Sequence, residues 1–517
     1  MRFTMNELLE KNLKSVCDAI DEAEIFDHAA AVLNFDLETI CPSAAMEKQG
    51  ETAAYLENEA FKRIKNDAFT EAAEYIYRNR FGSGSEGAPG DDGLSPLDVF
   101  LAEALHRDYA KIKNITPEMN HEFSLIRNKA YVDWLGAKQR SDFSAFAPSL
   151  EKIKEVCIKE VTLRDEKSER PYDDMLDDYE RGITMRDLDE AFGLCKERLI
   201  PLLEKIKASK KVIRRDFLSR YASDEEQKKM AKYLLDTIGY DFTRGAFTTT
   251  EHPFTSDLAK DDVRVTTNYH PNEFTASMYS IIHEGGHALF GQLQPSEHHD
   301  HRIANRMTMG MHESVSRFYE NRIGRSRAFI DLIYPRAKEI FSTLLDGVTP
   351  EELYEAVNIV EPSLIRTEAD EFTYTFHVII RYEIEKMYFD GKIRTEDLPS
   401  VWCEKYREYL GITPENDREG VLQDVHWSFG FGYFPTYALG NMYNAMYFNR
   451  MKEEIAVDDA VRSGNIADIN RWMTDNVFSK ANILTPKEWI KDITGRDFTP
   501  VDYLDYLEEK YSDIYGL

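Results

Sequence analysis

Apolar residues recur at spacings of three and four positions over most of this 517-residue chain. This spacing places them on one face of an α-helix and is typical of amphipathic helices packed on a core. The pattern is continuous in four long stretches, and each predicts a helix: MNELLEKNLKSVCDAIDEAEIFDHAAAVLNF (5–35), SLEKIKEVCIKEVTLRDEK (149–167), MRDLDEAFGLCKERLIPLLEKIKAS (185–209) and DEEQKKMAKYLLDTIGY (224–240).

Two segments depart from the helical pattern. The stretch from Arg80 to Pro96, RFGSGSEGAPGDDGLSP, holds too many Gly, Ser and Pro residues for regular structure. It predicts a surface loop rather than a linker, because the helical pattern resumes on both sides. The stretch from Asp241 to Tyr269 has β-branched and turn residues with weak alternation, and predicts a small sheet or hairpin. The fold class is therefore mainly α with a small β insertion.

Composition and charge narrow the classes of function. The chain is 42% hydrophobic and carries a formal net charge of -29. An acidic surface repels phosphate, which argues against a nucleic-acid partner. No run of about 18 apolar residues indicates a membrane span. The first residues are amphipathic and charged, unlike a signal peptide. Five cysteines without a CxxC spacing indicate free thiols and a cytoplasmic location.

A metal-binding helix is predicted in SMYSIIHEGGHALFGQL, residues 277–293. His283 and His287 are four positions apart, so both imidazoles can reach one metal ion from one helical face. Glu284 is placed to take the proton of a water molecule at that metal and to pass it to the leaving amine. Imidazole and carboxylate ligands around an open position favour Zn²⁺, and the motif therefore predicts a hydrolase.

Two adjacent glycines, Gly285 and Gly286, interrupt this helix. Each glycine inside a helix costs about 1 kcal/mol relative to alanine. The alternative interpretation, an ordinary helix with two surface histidines, gives no reason to carry both glycines. We expect that they clear space near the metal for neighbouring backbone or for a substrate.

A third metal ligand is sought in RMTMGMHESVSRFYENRIGRS, residues 306–326. An apolar stripe predicts a helix there, with Glu313 and Glu320 on the opposite face. Spacing alone leaves Glu313 open between a metal ligand and solvated surface, and His312 is the second candidate. The stripe consists of Met307, Met311, Val315 and Phe318.

An ordered series of motifs spans most of the chain: HPF (252–254), DVRVT (262–266), HEGGH (283–287), HES (312–314), IRTEAD (365–370) and GVLQDVHW (420–427). In this series the chain resembles the carboxypeptidase Taq family of zinc metallocarboxypeptidases. It departs from the family at Phe35, usually tryptophan, at Cys41, usually methionine, and at Val315, usually glutamine. The glycine-rich loop near position 85 resembles an insertion relative to the family.

The resemblance implies a single domain over residues 1–517, with two helical lobes around a deep groove and the small sheet beside the zinc helix. This scaffold is similar to that of angiotensin-converting enzyme and neurolysin. It also implies a homodimer that releases single residues from the C-termini of peptides. By resemblance His283, His287 and Glu313 bind zinc, and Glu284 is the general base.

Recognition of a terminal carboxylate suits an arginine, whose fork matches two oxygens. Arg366 in the IRTEAD motif is the first candidate and Arg264 the second. Arg317, four residues after Glu313, is expected to be a partner of that carboxylate. Arg366 is also four residues from Asp370, so a structural salt bridge between them is the alternative.

Stabilisation of the oxyanion needs a proton donor near the metal. The segment QDVHWSFGFGYFPTYALGNMY (423–443) offers His426, Tyr433 and Tyr437. Related helical peptidases place a histidine and then tyrosines at similar spacing, so we expect Tyr437 first and Tyr433 second as donors. His426 is expected to donate to the substrate backbone. The alternative is that both tyrosines are core residues.

Three further groups of polar residues are assigned more weakly. His252 either contacts substrate or packs beside its neighbours in the HPF motif. Gln423 and Asp424 are expected to have architectural roles. The remaining cluster, SEHHDH, is expected to be exposed loop: its histidines are His298, His299 and His301.

The sequence thus predicts a cytoplasmic zinc carboxypeptidase that acts on peptides, in which Co²⁺ or Mn²⁺ can substitute for Zn²⁺. An oligopeptidase or dipeptidyl carboxypeptidase on the same scaffold is the alternative, because all three share the zinc site. A catalytically silent helical binding protein is a third possibility, which the intact HExxH motif disfavours.

Overall fold

A computed structural model describes residues 5–80 and 94–517 of the chain. Most of the predicted surface loop from Arg80 to Pro96 lies outside the described residues. The described residues are predominantly helical, as the apolar spacing predicts. In chain order the helices are α1 (Met5–Thr39), α2 (Met46–Ile64), α3 (Asp67–Asn79), α4 (Pro96–Ile112), α5 (Pro117–Arg140), α6 (Ala147–Thr162), α7 (Pro171–Tyr179), α8 (Met185–Ala208), α9 (Asp224–Ile238), α10 (Phe274–Leu293), α11 (Ser296–Asp300), α12 (Met309–Arg317), α13 (Arg327–Ile340), α14 (Pro350–Val357), α15 (Tyr374–Phe389), α16 (Leu398–Leu410), α17 (Pro435–Glu454), α18 (Val457–Arg462), α19 (Ile466–Met473), α20 (Ser479–Ala481), α21 (Pro486–Thr494) and α22 (Val501–Tyr515).

Helix boundaries follow local sequence signals. At the start of α9 the Ser223 hydroxyl accepts from the Glu226 N–H, while the Glu226 carboxylate accepts from the Ser223 N–H. This reciprocal pair satisfies two backbone donors that the first helical turn would leave open. The helix ends at Gly239, whose φ of 94° lies in the left-handed region that glycine adopts without strain.

The β-rich segment forms a three-stranded sheet, which confirms the predicted small sheet. Its strands are β1 (Phe247–Thr249), β2 (Thr255–Ala259) and β3 (Asp262–Thr267), in the order β1-β3-β2. Strands β2 and β3 are antiparallel and joined by a short turn, whereas β1 pairs with β3 in parallel. The buried Val263 and Val265 on β3 point one way, and the polar Arg264 between them points the other way, as alternation requires.

The chain divides into two compact units, each built from three segments. One unit takes in Met1–Ala110, Ala222–Met307 and Ile466–Ile483. Within it, helix α10 packs on α9 and on strands β2 and β3. The prediction that the small sheet lies beside the HExxH helix is therefore confirmed. The interior of this unit surrounds α10, where fourteen of its residues are buried.

The other unit takes in Lys111–Tyr221, Thr308–Asn465 and Leu484–Leu517. Helix α17 is central to it, because it packs on α12, α15, α21 and α22. Thirteen residues of α17 are buried, so this helix is covered on most of its circumference. Helix α12 continues into a π-helical segment, Phe318–Gly324.

Two further observations bear on the expectations from sequence. Among the described residues, no helix combines the length and the hydropathy that a bilayer crossing requires. The expectation that the SEHHDH cluster is exposed is wrong for His298, which is 1% exposed and lies 3.0 Å from Asn482 through its Nδ1. Burial lowers the pKa of His298 below its usual value.

Candidate active site

Helix α10 holds both histidines of the HExxH motif on one face. The ring centroids of His283 and His287 are 4.9 Å apart, as the four-residue spacing predicts. Both rings are half-buried, and Glu284 between them is 8% exposed. A buried carboxylate beside two imidazoles that converge is the arrangement that a hydrolytic metal site needs.

Gly285 has a role in helix packing that could not be predicted from its position in the HExxH motif. A Cβ built on Gly285 would lie 2.6 Å from Cδ1 of Ile238 and 3.0 Å from Cδ2 of Leu235. Both side chains belong to α9. The clearance at Gly285 therefore admits two apolar side chains of the neighbouring helix, where we had expected backbone or substrate. The clearance expected at Gly286 stays a prediction.

Glu313 lies on α12 and is 6% exposed, so the alternative of a solvated surface residue is wrong. Arg317 Nε donates to its Oε1 over 2.8 Å, and the Ser316 hydroxyl donates to its Oε2 over 3.0 Å. Arg317 also donates through Nη1 to Glu320 over 2.9 Å. The guanidinium thus compensates two buried carboxylates, and Arg317 is a partner of Glu313 as expected.

The side chains of His283, His287 and Glu313 form a cluster that could bind a metal ion. One ligand atom from each lies within 4.8 Å of the others. No other group of three or more His, Cys, Asp or Glu side chains in the described part of the chain meets this condition. Two imidazoles and a carboxylate are the donor set of catalytic zinc sites. The residues present therefore fit a divalent metal, and His312 is not one of them.

Helix α17 approaches Glu313 closely because it has a glycine at the crossing point. A Cβ on Gly440 would lie 3.0 Å from Cγ and from the main-chain carbon of Glu313, and 3.0 Å from the nitrogen of Ser314. Backbone cannot yield as a flexible side chain can. Gly440 therefore fixes how near α17 and the carboxylate helix come to each other.

His426, Tyr433 and Tyr437 are brought together. His426 Nε2 lies 3.1 Å from the Tyr437 hydroxyl, and the tyrosine rings are 5.3 Å apart. Burial lowers the pKa of His426 to about 4, so its imidazole is neutral at physiological pH. Burial also raises the pKa of Tyr437 well above its usual value, so the phenol keeps its proton. Both tyrosines are only half-buried.

Arg366 forms a buried ion pair, but its partner is Asp424. Nε and Nη2 of Arg366 donate to Asp424 Oδ1 over 3.2 and 2.9 Å, so the predicted alternative of pairing with Asp370 is wrong. Asp370 instead accepts from the backbone N–H groups of Phe372 and Thr373. Residues 366–368 form a 3₁₀ turn, which does not place position 370 on the same face.

Asp424 and Gln423 organise a buried arginine pair, in agreement with their expected architectural roles. Arg381, 0% exposed, donates to Asp424 Oδ2 over 2.6 Å and to Gln423 Oε1 over 2.8 Å. Gln423 also accepts from the Arg366 N–H. Burial alone would raise the pKa of Asp424. The positive charges of Arg381 and Arg366 outweigh this effect and hold that pKa below its usual range.

Arg264 and His252 are more open to solvent. Arg264 lies on β3 and makes a two-pronged ion pair with Asp262, in which the distances are 2.8 and 2.6 Å. Its guanidinium carbon lies 5.2 Å from the ring centroid of Phe35, which in turn contacts Phe254 edge to face at 5.7 Å. His252 is exposed, and its two alternative roles, substrate contact or packing beside Pro253 and Phe254, stay predictions.

Sequence reasoning missed one residue in contact with the predicted general base. The hydroxyl of Thr255 on β2 lies 2.6 Å from Glu284 Oε2 and 2.9 Å from the Glu284 carbonyl oxygen. Thr255 directly follows the HPF motif, and that adjacency was the only signal in the sequence. A threonine in a weakly alternating strand otherwise indicates nothing more than β-structure.

The chain matches the family model described as carboxypeptidase Taq (M32) metallopeptidase over residues 15–511. It is 37% identical over 506 residues to Carboxypeptidase 1 of Bacillus subtilis, covering 98% of this chain and 99% of that protein. It is 35% identical over 497 residues to Thermostable carboxypeptidase 1 of Thermus thermophilus, covering 94% and 95% of the two chains.

The similarity to solved structures also extends over almost the whole chain. The crystal structure of an M32 carboxypeptidase from Deinococcus radiodurans R1 matches with a TM-score of 0.92 at 31% identity. The match covers 98% of this chain and 100% of that one. The similarity therefore extends over both compact units and is not confined to the HExxH helix.

Proposed function

Because the chain belongs to the carboxypeptidase Taq (M32) metallopeptidase family and is a metallocarboxypeptidase, we propose that it releases single amino acids from the C-termini of peptides. The observation that carries the proposal is the His283–His287–Glu313 cluster, with its ligand atoms within 4.8 Å of one another. The buried Glu284 between the two histidines completes the set of groups that peptide hydrolysis requires.

Zn²⁺ is the proposed metal, with His283, His287 and Glu313 as its protein ligands and Co²⁺ or Mn²⁺ as possible substitutes. When bound, it would polarise the scissile carbonyl and acidify a water molecule. The buried carboxylate of Glu313 accepts a hydrogen bond from Arg317 Nε, which fixes the direction of the carboxylate. Ser316 holds the second oxygen of the same carboxylate.

Glu284 is the proposed general base. It follows His283 directly on α10, and its carboxylate is held by the Thr255 hydroxyl. In this role it takes a proton from the attacking water and later delivers it to the amine of the departing amino acid. A water molecule deprotonated beside the scissile carbonyl adds to that carbon, and the C–N bond breaks as the amine leaves.

Tyr437 is the first proposed donor to the oxyanion, and Tyr433 the second. Support comes from the raised pKa of Tyr437, caused by burial, which preserves the phenolic proton. The neutral His426 lies against the same hydroxyl. If His426 carries its proton on Nε2, it donates to the Tyr437 oxygen and leaves the phenolic proton for the substrate. A neutral imidazole carries a single N–H, so in its other proposed role, as donor to substrate backbone, His426 would give that N–H to the substrate instead of to the Tyr437 oxygen.

Arg366 remains the first candidate for the terminal carboxylate of the substrate, followed by Arg264 and His252. Arg366 is a fixed cation, but its Nε and Nη2 already serve Asp424 and its Nη1 donates to the Tyr374 hydroxyl over 3.2 Å. Only its remaining N–H groups are available to a ligand. Arg264 and His252 are less buried, although Nε and Nη2 of Arg264 already donate to Asp262.

Peptides are the substrates of a carboxypeptidase, and we further propose a homodimer in the cytoplasm. The five cysteines are free thiols, which is the usual state in a reducing compartment. The homodimer rests on family resemblance. An oligopeptidase or dipeptidyl carboxypeptidase remains the alternative activity, because the same metal and base would serve either.

The experiment that tests the proposal compares the wild type with Glu284→Gln. The variant should retain its metal at wild-type stoichiometry but lose about 10²- to 10⁴-fold in kcat, the usual contribution of a general base. Glu297→Gln, an exposed residue of α11, is the control and should be fully active. A Glu284→Gln variant with wild-type kcat would contradict the proposed mechanism.

A further inference from the structure

Strand β2 lies along the face of α10 that carries Glu284. Thr255 and Asp257 are two positions apart on β2, so they share one face of the strand. Thr255 contacts Glu284, and Asp257 meets the helix seven residues later, where a Cβ on Gly291 would lie 2.7 Å from Asp257 Oδ2. Seven residues are close to two helical turns. The strand is therefore fixed against the helix at two points, and its register places Thr255 at Glu284.

The hydroxyl of Thr255 faces two acceptors of the same residue. It lies 2.6 Å from Glu284 Oε2 and 2.9 Å from the Glu284 carbonyl oxygen. The single hydroxyl proton can form a full-strength hydrogen bond to only one of these two acceptors at a time. The shorter distance indicates that the hydroxyl bonds to the carboxylate oxygen rather than to the carbonyl oxygen. Thr255 therefore binds Oε2 of the Glu284 carboxylate, and Oε1 remains available to accept and release a proton.

From this geometry we infer that Thr255 is a positioning residue for the general base. Its hydroxyl restrains the rotation of the Glu284 side chain, which in an unrestrained glutamate spans several rotamers. Strand β3 also holds β2 in register, because the two strands pair antiparallel and Thr255 lies opposite Val265. The inference rests on the proposed function, because it assigns Thr255 a role through Glu284.

A β-branched side chain without the hydroxyl gives the sharpest test. Thr255→Val keeps the shape and the strand preference but removes the donor. It should lower kcat by about 10- to 100-fold, a part of the roughly 10²- to 10⁴-fold that a general base contributes. KM for an unblocked peptide and the bound-metal stoichiometry should stay within twofold of the wild type. Thr255→Ser, which retains the hydroxyl, should restore kcat to within about threefold.

The control makes the same chemical change elsewhere in the sheet. Thr249 ends β1 and is exposed, so Thr249→Val should leave kcat and KM unchanged. A Thr255→Val enzyme with kcat within twofold of the wild type would overturn the inference. So would equal losses in Thr255→Val and Thr255→Ser, because these would indicate a packing role. If Thr255→Val does not fold, Thr255→Ala takes its place with the same criteria.

A double-mutant cycle separates this inference from the proposed function. If Thr255 acts through Glu284, adding Thr255→Val to Glu284→Ala should change kcat by less than twofold. Full additivity of the two losses would overturn the inference and leave the role of Glu284 intact. A wild-type kcat in the Glu284→Ala single variant would instead contradict the proposal that Glu284 is the general base.

Discussion

Arg366 and Asp424 form a buried ion pair in which Nη2 of the arginine lies 2.9 Å from Oδ1 of the aspartate. Arg381 shares the same carboxylate through Oδ2 at 2.6 Å. Two guanidinium groups around one carboxylate leave an excess positive charge within this three-residue cluster. That excess suits a nearby anion, but most of the donors on Arg366 are already used within the chain.

Replacement of Arg366 should therefore reduce stability as well as affinity. Arg366→Met should lower the free energy of unfolding by about 3 kcal/mol, the low end for a broken buried pair, because Arg381 still compensates Asp424. Denaturant titration measures this loss. The matched variant Arg264→Met breaks a partly exposed pair and should cost about 1 kcal/mol or less. Equal losses in the two variants would contradict a larger contribution of the buried Arg366–Asp424 pair to stability.

Removal of the Tyr437 hydroxyl tests the proposed donor to the oxyanion. Tyr437→Phe should lower kcat by about 10²-fold, as loss of one such donor usually does, and leave KM nearly unchanged. Tyr433→Phe is the matched variant, and its loss should be smaller. Steady-state kinetics on one peptide decides between them. A larger loss in Tyr433→Phe would reverse the assignment, and no loss in either would place both tyrosines among the packing residues.

The close approach of α17 to Glu313 at Gly440 should control the affinity for the metal. Gly440→Ala places a methyl 3.0 Å from the backbone and Cγ of Glu313, so the carboxylate must move. Metal affinity should fall by about 10-fold or more, the scale of changes that disturb ligand orientation. Competition with a chromogenic chelator measures the affinity. Gly193→Ala on α8, where a Cβ meets nothing within 4 Å, should retain wild-type affinity, and unchanged affinity in Gly440→Ala would contradict the argument.

The buried Glu180 should make stability depend on pH. Burial raises its pKa from 4.5 to about 7, and its Oε2 accepts from the Gly310 N–H at the start of α12. Between these pKa values the folded state binds more protons than the unfolded state. The contribution of Glu180 to stability therefore falls as pH rises from about 4.5 through 7.

Glu180→Gln removes this titration and keeps the shape. The free energy of unfolding of the variant, relative to the wild type, should rise by roughly 2–3 kcal/mol between pH 5 and pH 8. The amide can still accept from Gly310 through its oxygen. Chemical denaturation at both pH values measures the difference. A difference that does not change with pH would contradict a raised pKa at Glu180.

The sequence was sufficient for the elements and for the residues of the HExxH helix. Helical periodicity and β-branched residues depend on near neighbours in the chain, so they predicted the helices and the position of the sheet. His283 and His287 are likewise four residues apart on one helix, and their convergence follows from helical geometry. The strand order, with β1 parallel to β3, was not predictable from these local signals.

Contacts between distant segments were not predictable. The i, i+4 spacing suggested that Arg366 pairs with Asp370, but the rule requires a helix, and the chain leaves helical geometry after Glu368. The partner, Asp424, lies 58 residues further on. Gly285 is similar: its conformational cost was visible in the sequence, whereas the α9 side chains that require it were not.

The burial of particular polar residues was also not predictable from the sequence. His298 lies in a run of polar residues and was expected to be exposed, but Asn482 from a distant segment covers it and contacts its Nδ1. Thr255 gave no stronger signal than any threonine in a strand. Only the register of β2 against α10 places its hydroxyl at Glu284.

The most direct test of the central claim is the digestion of one peptide in two forms, with a free C-terminal carboxylate and with a C-terminal amide. Mass spectrometry follows the products with and without a metal chelator. The account predicts a ladder that shortens by one residue from the free C-terminus, disappears with chelator and is strongly slowed for the amide. Equal cleavage of both forms, release of dipeptides or internal fragments, or a ladder that persists with chelator would contradict it.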